Sequence, residues 1–279
     1  MLASAIAFTA MTTLIKYLGE DYPAALQTFY RQLAGFIVMI PLMARDPVGV
    51  FRTSRPGILL FRSAAGTLGT ILAFYAYQKM PLAEANALSF TRALWLVPLA
   101  AWVLGEKVGP RRVFASVVGF LGVLLMLQPS GQHAHLSLAA GAALASSLLF
   151  AFTITGMKVM TRDHSTTTLM AWSTLLGVAM AIPPALFVWR WPASIDLLLL
   201  GLMGVLGMVT QACYIKGMSE GDAAVMAPMD YTRLVFAVVL GYFLFGDVPN
   251  AGTMLGAGVV IASTLYITLR ELKLGLRRD

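Results

Sequence analysis

Charge is what this chain has least of. Asp, Glu, Lys and Arg make up 12% of its 279 residues, roughly half the share of an ordinary soluble domain. A chain of this size needs more polar surface than that to stay dispersed in water, which excludes a soluble globular protein. Cysteine occurs once, as Cys213 inside an apolar run, so an internal disulfide framework and a cysteine-based metal cluster are excluded. The three histidines, two of them at His133 and His135, are too few and too poorly spaced for a metal site and read as solvated loop residues. Short alternating segments of about ten residues are missing, which excludes a transmembrane barrel. There is no Walker-type phosphate loop, so no built-in ATP motor is expected, and no other cofactor is implied. The net charge is +7, yet no basic stripe with interleaved aromatics marks a nucleic-acid surface. The first apolar segment flows into Lys16–Asp21 without the small-residue pattern of a signal-peptide cleavage site.

Apolar residues fill the space that charge leaves, at 58% of the chain. They come in long runs such as Leu33–Met43, Ala93–Leu104, Val113–Leu127 and Leu234–Phe245. Small residues extend each run towards the roughly 20 needed to cross a bilayer. Backbone in lipid must satisfy its own hydrogen bonds, so the runs are predicted to be helices. Turn and charge punctuation places ten spans near 2–18, 24–43, 57–77, 82–104, 111–127, 136–158, 167–189, 195–216, 222–244 and 252–270. The loops between them are too short for a soluble domain.

Basic residues are divided unevenly between the two sets of loops. Arg45, Arg52, Arg55, Arg62, Lys107, Arg111, Arg112, Lys158, Arg162, Lys216, Arg270, Lys273, Arg277 and Arg278 fall by the even-numbered loops and the C-terminus. The odd-numbered loops hold Lys16, Lys79 and Arg190. The positive-inside rule then puts both termini in the cytoplasm.

The two halves resemble each other at an offset of about 141 residues. Thr91-Arg92, an apolar run and Gly105-Glu106 match Thr232-Arg233, an apolar run and Gly246-Asp247. Upstream, Phe8, Lys16, Gly35 and Pro41 match Phe150, Lys158, Gly177 and Pro183 at one residue more. Each copy holds an odd number of spans, so the second enters the membrane the opposite way up from the first. The expected division is 1–134 for the first copy and 135–279 for the second. Inverted repeats are a transporter architecture, with the solute site near the midplane between the copies.

The stretch MPLAEANALSFTRALWLVPLAAWVLGEKVGPRRVFASVVGFLGVLLML resembles the signature of the drug/metabolite transporter superfamily, EamA type. Its second-half counterpart, GDAAVMAPMDYTRLVFAVVLGYFLFGDVPNAGTMLGAGVVIAS, does the same. The resemblance covers nearly the whole chain. It implies an all-α fold of ten transmembrane helices as two inverted five-helix repeats, in the cytoplasmic (inner) membrane. It also implies export of amino acids, metabolites or toxic organic compounds, with some members importing. A short cytoplasmic arm is expected before the first helix, which places the true N-terminus upstream.

The charges inside the spans are the candidate solute contacts. A guanidinium at the bilayer centre costs at least about 2.5–3.5 kcal/mol, so it should face a cavity or a partner. Arg92 and Arg233 lie midway through the fourth and ninth spans, at equivalent positions of the two copies. Asp230 is one turn before Arg233, and the two read either as a structural clamp or as part of the site. Arg92 has no acid within a turn, which favours a carboxylate or phosphate group as its partner. Trp95 and Tyr231 are the aromatic candidates beside them, and Asn86, Ser89, Gln211 and Tyr214 are the polar ones. Arg31, Tyr30 and Trp172 are assigned to an outer vestibule. Asp230 or Glu84 can carry a coupling proton. Gly201, Gly204 and Gly207, like Gly119 and Gly122, read as close-packing faces. The carbonyls freed by Pro98 and Pro228 are expected to line a cavity or hinge.

A net positive midplane repels bare cations and suits an organic anion or a zwitterion such as an amino acid. The reading is a secondary transporter of a small organic solute, an exporter by analogy, acting as a monomer or homodimer. The alternatives are an importer of a vitamin or nucleoside-like metabolite, or a membrane scaffold that transports nothing. An enzyme is not expected, because the spans lack a nucleophile with a base, a metal cluster and paired carboxylates.

Overall fold

The structure, a computed structural model, describes residues 2–19, 21–46, 49–103, 105, 109–126, 138–160, 164–220 and 231–275. Side chains at 42, 158, 166, 214–220 and 271–275 fall outside that description. Every regular element among the described residues is helical. In chain order they are α1 (Leu2–Tyr17), α2 (Ala24–Met43), α3 (Pro56–Lys79), α4 (Leu82–Ser89), α5 (Arg92–Trp102) and α6 (Pro110–Met126). They continue as α7 (Leu138–Met160), α8 (Thr166–Phe187), α9 (Ser194–Glu220), α10 (Thr232–Phe245) and α11 (Ala251–Gly275). Five of these are long and apolar enough to cross a membrane, and α1 and α10 are shorter apolar helices. Large apolar side chains face outwards, with Phe187 91%, Phe243 76% and Phe114 70% exposed, a surface suited to lipid rather than water.

Local chemistry sets the helix limits. Pro56 and Pro110 open α3 and α6, where a missing N–H costs nothing. Ser165 caps α8 by accepting the Thr168 N–H at 3.1 Å. The fourth predicted span is not one helix. It breaks into α4 and α5 at Phe90–Thr91, where the Phe90 and Thr91 N–H groups bond three residues back, to Ala87 and Leu88. The Ser89 hydroxyl donates to the Asn86 carbonyl and the Thr91 hydroxyl to the Leu88 carbonyl, both at 2.6 Å. Hydroxyls that compete for carbonyls in this way tighten and end a helix. The ninth predicted span is described from Tyr231 on, so Pro228 lies outside the described residues.

Two glycines need their special backbone. Gly105 and Gly246, at matching positions of the two halves, adopt φ of +64° and +67°, a region that disfavours any side chain. At Gly246 the turn lets its N–H reach the Tyr242 carbonyl and the Asp247 N–H reach the Gly241 carbonyl.

Helices of the first half pack against helices of the second in matching pairs. α1 lies on α9 and α3 on α7; α2 meets α9 and α8, while α3 also meets α8. The pair α6 and α11 approaches closely in backbone terms. A Cβ on Gly256 would lie 2.4 Å from the Gly122 carbonyl oxygen, so only glycines allow that approach. Gly119 is filled by Leu94 and Gly204 by Ala34, as packing faces should be. Gly201 departs from that expectation, because among the described residues nothing stands within 4 Å of where its Cβ would be.

Pro98 departs from expectation as well. The carbonyl it frees, that of Leu94, accepts a hydrogen bond from the Ser116 hydroxyl at 3.2 Å. It is enclosed in the contact between α5 and α6, where a neighbouring helix supplies the missing donor.

Contacts between turns sort by end. At one end the Tyr22 hydroxyl donates to Asp196 at 2.7 Å, and Lys16 pairs with Asp247 at 2.5 Å. The bond to Asp196 holds the Tyr22 hydroxyl above the ordinary phenol value. At the other end Thr53 bonds His164 at 3.0 Å. Odd-numbered turns meet odd ones and even meet even, as alternate crossings of a bilayer require.

Candidate functional site

Arg233 is the enclosed cation among the predicted residues whose side chains are described. It stands in the first turn of α10, 6% exposed, and its guanidinium reaches back into the first half. One terminal nitrogen donates to the Ser89 hydroxyl at 3.3 Å. The guanidinium carbon lies 4.2 Å from the Phe90 ring centre and 4.8 Å from that of Phe8. Both are cation–π distances, and in an interior short of water each such contact stabilises the cation by about 2 kcal/mol. Phe90 also meets the Tyr231 ring at 4.6 Å, and the Tyr231 hydroxyl bonds Thr264 at 2.5 Å. Ser89, Arg233 and Tyr231 are therefore brought together around the α4–α5 break. Asp230 lies outside the described residues, as does the side chain of Tyr214.

Asn86 is fully buried one turn before Ser89 on α4, and its amide donates to the Leu82 carbonyl at 2.9 Å. Trp95 is directed elsewhere. Its indole N–H donates at 3.1 Å to the Ser147 hydroxyl, which also lies 2.7 Å from the Thr91 hydroxyl, and its ring meets Phe120 at 4.6 Å. Those contacts lock α5 to α7 and α6, on the wall of an apolar groove of about 370 Å³. Arg92 is half-buried in the first turn of α5. Gln211 is exposed on α9.

The vestibule assignment divides. Tyr30 belongs to an aromatic cluster with Phe29 and Trp189, at ring distances of 5.4 and 6.2 Å, near the Tyr22 end. Trp172 sits at the opposite end, 5.6 Å from Phe51 and packed beside Leu59 and Met160. That corrects its placement in one vestibule with Tyr30.

Arg31 is not at a mouth either. Its side chain turns into the bundle between α1, α3 and α9, with the guanidinium carbon 6.0 Å from the Phe74 ring centre. A Cβ on Gly207 would come within 3.1 Å of its Nε and 3.3 Å of the Met11 sulfur. Gly207 thus makes room for a guanidinium, not only for a helix. The Arg31 Nε is buried and has no hydrogen-bond partner among the described residues. On the same helix Gln27 and Thr28 are both fully buried, and the Gln27 Oε1 and Thr28 Oγ1 lack partners there as well. Sequence reasoning passed over these two. The signal was a polar pair one turn before a span arginine, on the same face.

Glu84 lies in the first turn of α4 and accepts a hydrogen bond from the Thr253 hydroxyl at 3.0 Å. The Asp247 carboxylate pairs with Lys16 and also accepts the Leu82 N–H at 3.2 Å, capping α4. This network ties α1, α4 and α11 at the Tyr22 end.

Known proteins place this geometry. The model of the EamA-like transporter family matches residues 1–128 and again 137–269. An S-adenosylmethionine uptake transporter of Rickettsia conorii is 28% identical over 272 residues, covering 98% of this chain and 92% of that protein. A riboflavin transporter of Rhizobium johnstonii is 27% identical over 281 residues, covering 98% and 91%. The pseudopaline exporter CntI of Pseudomonas aeruginosa is 26% identical over 263 residues, covering 94% and 92%. A crystal structure with a TM-score of 0.63 and 21% identity covers 98% of both chains and shares the fold. The all-helical architecture is that of a ten-helix membrane protein, and these relatives are named as transporters rather than enzymes. Matched by the family model in both halves and along nearly its whole length, the chain belongs to the EamA-like transporter family.

Proposed function

We propose that this chain is a secondary transporter for an anionic or zwitterionic organic metabolite with a planar ring, working by alternating access. Its moving parts are the halves 1–134 and 135–279, inverted with respect to each other. One observation carries the reading: a buried guanidinium of the second half, Arg233, is held by Ser89, Phe8 and Phe90 of the first. Rocking one half against the other must remake those contacts. The aromatic faces of Phe8, Phe90 and Tyr231 suit a flat solute body. S-adenosylmethionine and riboflavin, the solutes in two relatives' names, both contain a planar heteroaromatic ring.

Counterflow of these two solutes in sealed proteoliposomes, loaded from either side, tests the proposal and reads direction. Arg233→Lys keeps the charge but loses the planar face, so transport should fall about tenfold or more at an unchanged level of folded protein. Normal counterflow by Arg233→Ala would remove Arg233 from the site.

For coupling, Glu84 is the proposed proton carrier among the described residues. Glu84→Gln should still exchange solute but fail to accumulate it when driven by a pH gradient. The orientation follows from the distribution of basic residues, with both termini cytoplasmic in a bacterial inner membrane. Cysteine placed at Gln132 should react with an impermeant reagent on intact cells, and cysteine at Arg277 should not.

A further inference from the structure

We propose that Gln27, Thr28 and Arg31 on α2 form the recognition point for an α-amino-acid end of the transported solute. Its carboxylate is taken by Arg31 and Thr28 and its ammonium by Gln27. The proposal rests on the transporter reading above and assigns the polar end of the solute to residues outside the Arg233 cluster.

Gln27 is the firmest of the three. Its amide nitrogen donates to two main-chain carbonyls, of Ile15 at 3.2 Å and Tyr22 at 3.1 Å. Two carbonyls cannot both face an amide oxygen, so the orientation of the side chain is fixed by chemistry. Its Oε1 is thus a buried acceptor with no donor among the described residues. One turn along the same face, Arg31 brings a positive charge with no carboxylate against it among the described residues. The ion pair found there is Lys16–Asp247, at the end of α1. The described groups placed beside the Arg31 guanidinium include Phe74, Met11 and Gly207, none of which can neutralise it. Thr28, between them in sequence, adds a fully buried hydroxyl without a partner there.

Leaving one polar group unmet in such a place is costly, and leaving three on one helix face is costlier still. An acceptor one turn from a cation and a hydroxyl is complementary to a ligand end that sets a donor beside an anionic acceptor, as an ammonium beside a carboxylate does. Helical rise separates Gln27 from Arg31 by about 6 Å, within the reach of an amino-acid end plus two hydrogen bonds. The neighbouring helix keeps the same register, with Ile15 beside Gln27 and Met11 beside Arg31. The two side chains therefore line one seam between α1 and α2.

The test uses the purified full-length chain and thermal stabilisation as the binding readout. The probes are S-adenosylmethionine, its decarboxylated form, 5′-methylthioadenosine, riboflavin and the common α-amino acids. At least one α-amino-acid probe should stabilise the wild type, and about tenfold more tightly than its carboxylate-free analogue. Arg31→Met should erase that preference, and Thr28→Val, nearly isosteric, should weaken it about threefold. If Arg31→Met does not fold, Gly207→Ala, which crowds the Nε, makes the same comparison. The proposal is overturned if no α-amino-acid probe binds, or if the carboxylate preference survives in these variants. Riboflavin counterflow without binding of any amino-acid probe would refute this site and leave the transporter reading intact. Absence of counterflow with binding of an amino-acid probe would do the reverse.

Discussion

Lys16 and Arg31 sit on adjacent helices and are treated in opposite ways. Lys16, in the last turn of α1, is 2.5 Å from the Asp247 carboxylate and 4.8 Å from the Phe245 ring centre. The same carboxylate caps α4 through Leu82, and Glu84 stands beside it holding Thr253. Arg31 has the face of Phe74 and the space above Gly207. A cation answered by an acid ties helices together. A cation kept in the interior without one raises the energy of the empty protein and lowers it again when an anion arrives. That difference separates a fastening from a binding point, though both are single charges in an apolar setting.

The comparison breaks most visibly at Asp247. Asp247→Ala leaves Lys16 without its partner and α4 without its cap, and should cost about 3–5 kcal/mol. Thermal unfolding in detergent measures it. The double change Lys16→Met with Asp247→Leu removes both charges and should recover most of the loss. A silent Asp247→Ala would mean that solvent already screens the pair, and the contrast would fail on that side.

Arg31→Met sharpens the other side. Removing a half-buried charge that no carboxylate answers among the described residues should leave unfolding unchanged or raise its midpoint by a few degrees. A large fall in stability would show that Arg31 is a fastening after all. The smallest effect is expected at Ser116→Ala, which takes the donor from the Leu94 carbonyl and should cost about 1 kcal/mol. It touches neither cation, so solute binding should not change.

Much of the fold was legible in the sequence because a bilayer imposes length and polarity on every span. The limits of α2, α3, α6 and α8 fall within a few residues of the predicted spans, since Pro, Ser and Gly end helices for local reasons. The α4–α5 break was not legible. Ser89 and Thr91 are ordinary in a helix, and only their chosen carbonyls, Asn86 and Leu88, show that the span is interrupted. Trp95 shows the same limit from another side. Its spacing from Arg92 promised a shared site, yet the Ser147 hydroxyl on α7 claims its N–H.

The sequence by itself determined the solvent of this protein, its helical class and the matching of its halves. Scarce charge, long apolar runs and the repeated Thr-Arg and Gly-acid pairs leave few other solutions. Which charges are answered was decided by tertiary structure alone. Lys16 and Asp247 are 231 residues apart, and Ser89 and Arg233 are 144 apart. Local periodicity carries no information across such separations. It cannot say that Arg31 turns towards Phe74 and Gly207, or that the amide of Gln27 is pinned by the backbone of α1. A side chain's partner depends on which helix packs against it, and that is settled only when the two halves close on each other.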